Sequence, residues 1–365
     1  MCMNSMDYGA MEPVTMVREV TRPHMERVCR NIAMNDRVQS YYWRLAYTAV
    51  RNRELPATTI RSIGSRSRRI GDCNRFWRTA TYEASRVKVL EGTCRCKDKF
   101  CYNCNQANKA VRKSRYLPYL EPFQDNLYHM TLTVPNCAGD DLRDTVHHMA
   151  RCFKTLVTYL NGNKKARGID LLQYGYQGCI RTLEITYRKD CYHPHFHVAA
   201  VLGNGDAIGH KHIHNEFSEK GNRLFSDFEV TIQRIWWLLV NRKRLTADNI
   251  LGEGSGLGRY SCVVDRCQPA DYENLFGYIT KVNSADMTYE NFKTLFLALE
   301  GVRQIQPYGV FYGTKDLETA DFTERELADY LTCEERPVST YEPWGRLAYD
   351  SEYTILRASG GRLKH

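Results

Sequence analysis

Residues 191–203 read CYHPHFHVAAVLG. Three histidines stand at alternate positions, His193, His195 and His197, and an apolar run follows at once. Side chains alternate between the faces of a strand. His195 and His197 therefore share one face, and Phe196 turns to the opposite, apolar side. His193 could share the histidine face, but Pro194 directs it into the turn before the strand. A lone histidine next to VAAVL would read as a satisfied core residue. Two at i and i+2 on one face make a chelating pair, because neutral imidazoles suit divalent transition ions.

The preceding stretch, GCIRTLEITY at 178–187, reads as the hairpin partner of this strand. Thr182, Glu184 and Thr186 lie on one of its faces. If the hairpin closes through residues 188–193, Glu184 falls opposite His197 on the same face. A slip of one residue would turn it away. A carboxylate beside two imidazoles makes a three-ligand site with open positions, able to take Mn²⁺ or Mg²⁺ and a phosphate oxygen. The alternative is a sheet-face charge paired with an arginine.

Upstream, CRCKDKFCYNC places Cys94, Cys96, Cys101 and Cys104 within eleven residues. Four thiolates can close a tetrahedral shell around zinc, and Cys101-x-x-Cys104 has the spacing of two ligands on one tight turn. Cys94-x-Cys96 is tighter than usual, so Cys73 or Cys137 could replace one of them. The alternative is a group of reduced thiols. Fourteen cysteines without a secretory leader argue against a disulfide framework.

The chain has 365 residues and a net charge of +9, from 51 Lys+Arg against 42 Asp+Glu. That excess suits a polyanion partner. It is concentrated at 61–78, RSIGSRSRRIGDCNRFWR, where Arg66, Arg68, Arg69, Arg75 and Arg78 are candidate DNA contacts or simply a solvated basic surface. The longest strongly apolar piece, IWWLLV at 235–240, is too short for a bilayer, so a cytoplasmic location without membrane contact is expected. Residues 1–90 read as a basic, mostly helical region, with a helix over 24–50. Residues 91–126 form the cysteine-rich segment. Strands and helices alternate over 127–313: strands at 128–135, 178–187, 195–202 and 259–267, helices at 140–160, 228–245, 269–282 and 288–302. A polar tail follows, 314–365. The glycine-rich loop at 251–260 precedes a strand and lacks the Lys-Ser/Thr ending of a phosphate loop.

The last element of chemistry is NLFGYITKV, where Tyr278 and Lys281 share a helix face at i, i+3. A phenol is a weak nucleophile until a metal offsets charge at the phosphodiester under attack. Lys281 can hold a non-bridging oxygen or assist the leaving group.

Taken in order, YHMTLTVPN, HPHFHV and YITK resemble the motifs of the HUH-class rolling-circle replication initiators, most closely those of small plasmids of Gram-positive bacteria and related phages and archaeal elements. The cysteine-rich lead-in and GVRQIQPYGVFYG add to the likeness, which spans roughly residues 90–313. It implies an α+β fold, a central antiparallel sheet with helices on one face. It implies an endonuclease that nicks one origin strand, with His195 and His197 on the divalent ion, Glu184 as a further ligand, and Tyr278 ending on the 5′ phosphate. Origin DNA, a host helicase and a host polymerase are the implied partners. One position departs from the pattern. Where some members carry a glutamate four residues before the tyrosine this chain has Asn274, and Glu273 and Asp271 sit poorly placed on an ideal helix. A relaxase or transposase of the same chemistry, a histidine-triad nucleotide hydrolase, and a non-enzymatic zinc-stabilised DNA-binding protein are the rival readings.

Overall fold

A computed structural model of the protein describes residues 13–15, 22–53, 55–82, 87–93, 95–166, 168–214, 224–251, 262–267, 287–313, 345–349 and 353–357. The chain falls into two compact units, Met1–Val111 with Asp321–His365, and Arg112–Ala320.

In the first unit, helix α1 (Arg22–Asn52) buries Val28, Asn31, Asn35, Val38, Tyr42, Leu45 and Ala49. Their spacing alternates between three and four residues, the one-face pattern of a helix. Helix α2 (Ala57–Asp72) meets it with Ile63, Ser67 and Ile70, and Ser67 Oγ donates to Gln39 O at 3.2 Å. The helices approach so closely that a Cβ at Gly71 would run into the Gln39 amide. Strands β1 (Pro13–Thr15), β2 (Phe76–Tyr82) and β3 (Val87–Thr93) join two strands from the far C-terminal segment, Gly345–Tyr349 and Tyr353–Arg357. All pair antiparallel in one five-stranded sheet. The region read as mostly helical thus also contains strands, and the segment read as a polar tail supplies two more.

Helix α3 (Tyr102–Leu120) leads into the second unit. There, β4 (Leu127–Thr133), β5 (Cys137–Ala138), helix α4 (Gly139–Leu160), β6 (Tyr176–Arg188) and β7 (Cys191–Leu202) follow. After a short turn of helix, α5 (Gly205–Ile208), come β8 (His212–Ile213), β9 (Leu224–Phe225), α6 (Asp227–Val240), α7 (Ala247–Leu251), β10 (Cys262–Arg266), α8 (Tyr289–Leu299) and β11 (Ile305–Gly309). The main sheet runs β10-β4-β7-β6-β11, antiparallel throughout, with β5 also paired to β7. The helix expected over 269–282 lies outside the described residues.

The two faces of β7 have different covers. Phe196 and its alternates face the helices: Phe153 of α4 and Trp236 of α6 stand edge-on to Phe196, at centroid distances of 5.5 and 6.2 Å. Trp236 Nε1 donates to Thr133 O at 2.7 Å, tying α6 to the end of β4. The buried Arg181 lays its guanidinium over the Phe196 ring at 4.4 Å and donates to Arg303 O at 3.0 Å. On the other face, Ala199 and Val201 join Leu127, Ile180, Tyr116, Leu120 and Phe311 in an apolar cluster under the end of α3. Among the described residues, this cluster includes neither His195 nor His197.

The β6–β7 hairpin is tighter than expected. Arg188 pairs with Cys191, leaving a two-residue turn at Lys189–Asp190 with Lys189 at φ 56°. Asn291 of α8 donates to Lys189 O at 2.8 Å and holds the turn from outside. Pro194 sits inside β7 rather than in a turn. The neighbouring strands leave it room: β4 ends at Thr133, opposite His195, and β5 resumes opposite Tyr192. The missing proline N–H therefore falls at a break in the ladder.

Because Phe196 joins α4, α6 and the Arg181 stack, Phe196→Ala should lower stability to urea by about 3–5 kcal/mol, whereas Phe196→Leu should cost under about 1.5 kcal/mol. A loss below about 1 kcal/mol for the alanine variant would show that this face does not hold the sheet to its helices.

Candidate metal and strand-cleavage site

The turn sets which residues meet. Glu184 pairs with His195, and Thr182 with His197. The expected register, Glu184 opposite His197, is corrected by two residues. The shift is even, so the face is kept. The cause is the turn: closing at 189–190 instead of through 188–193 slides β6 along β7.

Glu184, His195 and His197 are all buried, at 2, 8 and 6% exposure. Glu184 Oε2 lies 3.0 Å from His195 Nε2 and 2.9 Å from His197 Nε2. His195 Nδ1 donates to the His193 carbonyl at 3.1 Å. A carbonyl can only accept, so Nδ1 carries the ring hydrogen and the neutral ring turns the lone pair of Nε2 toward the carboxylate. Two lone pairs at 3.0 Å repel. A positive centre, proton or metal ion, has to lie between them. The 2.9–3.0 Å edges match those of an octahedral shell with donors at about 2.1 Å, roughly 3.0 Å. The donor set of two imidazole nitrogens and one carboxylate oxygen, mutually within 4.8 Å, therefore fits a divalent cation.

The structure adds a residue that sequence reading missed. His129 of β4 lies on the same face, its Nε2 3.1 Å from His197 Nδ1 and the two rings stacked at 5.2 Å. It buttresses the ring nitrogen of His197 that points away from Glu184, the usual way a ligand imidazole is oriented. The available signal was position: His129 is two residues from Thr131, which pairs with His197. His193, read as a turn residue, is in the strand with its ring 5.1 Å from that of His195. Burial, with the neighbouring His195, holds its imidazole below the ordinary value, against the pull of Glu184.

In the first unit, the four-sulfur group comprises Cys73, Cys96, Cys101 and Cys104. Cys73 stands where Cys94 was expected; Cys94 lies outside the described residues. Cys137 belongs to β5 and is not in the group. The sulfurs approach to 3.4–3.6 Å. That is far beyond a bond of about 2.05 Å and close to the edge of roughly 3.8 Å in a tetrahedral zinc–sulfur shell. Asn35 Nδ2 and the Cys104 and Asp98 amides point at these sulfurs, at 3.2–3.5 Å. Hydrogen bonds from the other three cysteines pull Cys104 well down, while burial pushes Cys101 up. Beneath the turn, Asp98 accepts from Tyr42 Oη and the Phe100 amide. Burial raises its carboxyl above the ordinary range, against the pull of Phe100, Arg66 and Tyr42.

The candidate DNA-binding arginines divide. Arg68 and Arg69 are exposed on α2. Arg66 faces the Tyr42–Asp98 pair, and Arg75 is paired with Asp36. Arg78 is on β2, and its side chain is outside what the structure describes. Tyr278, Lys281, Asp271, Glu273 and Asn274 also lie outside the described residues.

A sequence profile of a family described as replication protein matches residues 87–205. The chain is similar to a protein named rep from Staphylococcus aureus, at 30% identity over 139 residues, 36% of this chain and 56% of the relative. It is also similar to a protein named rep from Lentilactobacillus hilgardii, at 25% identity over 139 residues, 36% of this chain and 41% of the relative. The chain thus spans about half the length of these curated relatives. No solved structure matches it. No helix among the described residues is long and apolar enough to cross a membrane. Glu184, His195, His197 and the strand bearing His129 all lie within the matched replication-protein segment, and over that segment the chain resembles the rolling-circle initiators of Gram-positive plasmids.

Proposed function

We propose that this protein starts rolling-circle DNA replication by nicking one strand of an origin, in the cytoplasm of its host. The observation that carries the proposal is the pair of imidazole nitrogens aimed at one buried carboxylate oxygen, inside a segment that resembles replication proteins. His195, His197 and Glu184 would hold Mn²⁺ or Mg²⁺, with His129 fixing the ring of His197. The bound ion would polarise the scissile phosphate and offset charge as it builds on the oxygens. Tyr278 would supply the attacking oxygen. Its Oη–phosphorus bond forms as the phosphorus–O3′ bond breaks, and the departing 3′ oxygen takes a proton. The 5′ phosphate stays on Tyr278 and the 3′-OH primes synthesis by a host polymerase. Lys281 would neutralise a non-bridging oxygen. The exchange conserves one phosphodiester, so rejoining needs no nucleotide, and unwinding falls to a host helicase. A histidine-triad hydrolase needs a free imidazole nucleophile, and here both Nε2 atoms face Glu184.

Cys73, Cys96, Cys101 and Cys104 would hold a structural Zn²⁺, since four sulfurs leave no ligand position for substrate. Arg68 and Arg69, exposed on α2, would contact duplex phosphates.

The test is denaturing electrophoresis of a single-stranded origin oligonucleotide labelled on its 3′ fragment, with Mn²⁺. The wild-type protein should retain the label covalently. Tyr278→Phe should bind the oligonucleotide and form no adduct, and His197→Ala should lower the nicking rate at least about 100-fold, within the range seen when a transition-state charge stabiliser is removed. An adduct with Tyr278→Phe would place the nucleophile elsewhere.

A second experiment separates the cysteines. Cys73→Ser should lose the tightly held zinc, read by atomic emission, together with stability. Cys94→Ser should retain both. The reverse result would restore the spacing-based assignment.

A further inference from the structure

A second set of alternating imidazoles lies outside this site. His210, His212 and His214 alternate along the chain at the two-residue strand β8 (His212–Ile213), which pairs with β9 at Leu224 and Phe225. The start of α6 brings Asp227 to them. His212 Nε2 lies 3.5 Å and His214 Nε2 3.6 Å from Asp227 Oδ1, and the two rings lie 4.0 Å apart. These separations are long for charge-assisted hydrogen bonds, about 2.7–2.9 Å. They match the edge of a tetrahedron whose donors stand at about 2.0–2.2 Å from one ion, roughly 3.3–3.6 Å.

The ring orientation points the same way. His212 Nδ1 lies 3.2 Å from the His210 carbonyl. That carbonyl only accepts, so Nδ1 carries the hydrogen and Nε2 presents a lone pair to the carboxylate. His195 has the same arrangement, with Nδ1 on the carbonyl two residues back and Nε2 toward Glu184. Lys211, the residue before His212, is engaged by Asp265 at 2.6 Å and Glu229 at 3.3 Å, so its ammonium is not the cation that Asp227 faces.

We propose that His212, His214 and Asp227 form a second metal site, for a borderline first-row ion of the zinc class. The 3.5 and 3.6 Å donor separations suit a small tetrahedral ion of this class, whereas the 2.9–3.0 Å separations at Glu184 suit an octahedral one. The His212 and Asp227 side chains are 52% and 75% exposed, so the remaining positions are open to water and the ion exchanges readily. Its effect is mechanical. It clasps β8 to the first turn of α6, beside the Ser226–Glu229 capping box, on the helix that carries Trp236 beneath the histidine strand.

The test uses the full-length protein and zinc alone, in equilibrium dialysis with bound metal read by atomic emission. The wild-type protein should hold one more exchangeable zinc than either His212→Ala or Asp227→Asn, with affinity at this site lowered at least about tenfold in both variants. His195→Ala should keep this zinc, which separates it from the Glu184 site. Asp227→Asn preserves shape at an exposed position, so its fold is secure and its loss reports the ligand. Wild-type stoichiometry and affinity in both variants would overturn the proposal. So would a loss confined to His212→Ala, because a three-donor site needs the carboxylate.

Discussion

One carboxylate oxygen, buried and within 3.0 Å of two imidazole nitrogens, constrains the second unit more than any other contact. Isolated in a protein interior, an ionised carboxylate costs several kcal/mol, on the order of the stability of a domain. Glu184 is tolerated because two imidazole nitrogens face its carboxylate oxygen. That requirement explains the sheet around it. The face must stay polar at the histidine end and dry at the other. β7 achieves this by changing character along its length, from His195 and His197 to Ala199 and Val201, with Tyr116 and Leu120 of α3 in the apolar cluster at the latter.

The helix side supplies the rigidity. Phe196, between the two histidines, is locked by Phe153, Trp236 and the Arg181 guanidinium. Its neighbours on either side are thereby held in one rotation of the strand. The hairpin turn, fixed by Asn291, then sets which β6 residue meets which histidine. Positioning of this kind would let the three side chains act as one ligand set under the proposed function, because none would have to be ordered when an ion or a phosphate arrives.

Much of this was legible in the sequence, and the gaps have physical causes. Helix α4 was readable because Leu142, Val146, Met149, Phe153, Leu156 and Leu160 repeat at helical spacing. The shared face of His195 and His197 was readable because a period of two is local. The register of Glu184 was not, since it depends on Lys189 adopting a left-handed backbone, which its residue type does not advertise. His129 acts 68 residues from His197, so no local spacing marks it; Cys73, 31 residues from Cys104, could be named only as an alternative to the tightly spaced Cys94. The strands at 345–349 and 353–357 pair with each other and with β1 and β2 near the opposite end of the chain, and at five residues each they are too short to reveal a partner so distant in sequence.

The central claim is that the positive centre at Glu184 is a metal ion held by both imidazoles. Pulsed electron paramagnetic resonance of bound Mn²⁺ tests it most directly, on full-length protein carrying His212→Ala so that the surface histidines do not contribute. Two directly coordinated imidazole nitrogens should appear in the modulation, and both should change isotope signature when histidine alone is labelled with ¹⁵N. A spectrum of Mn²⁺ ligated only by oxygen would contradict the claim and leave a proton between Glu184 and its histidines.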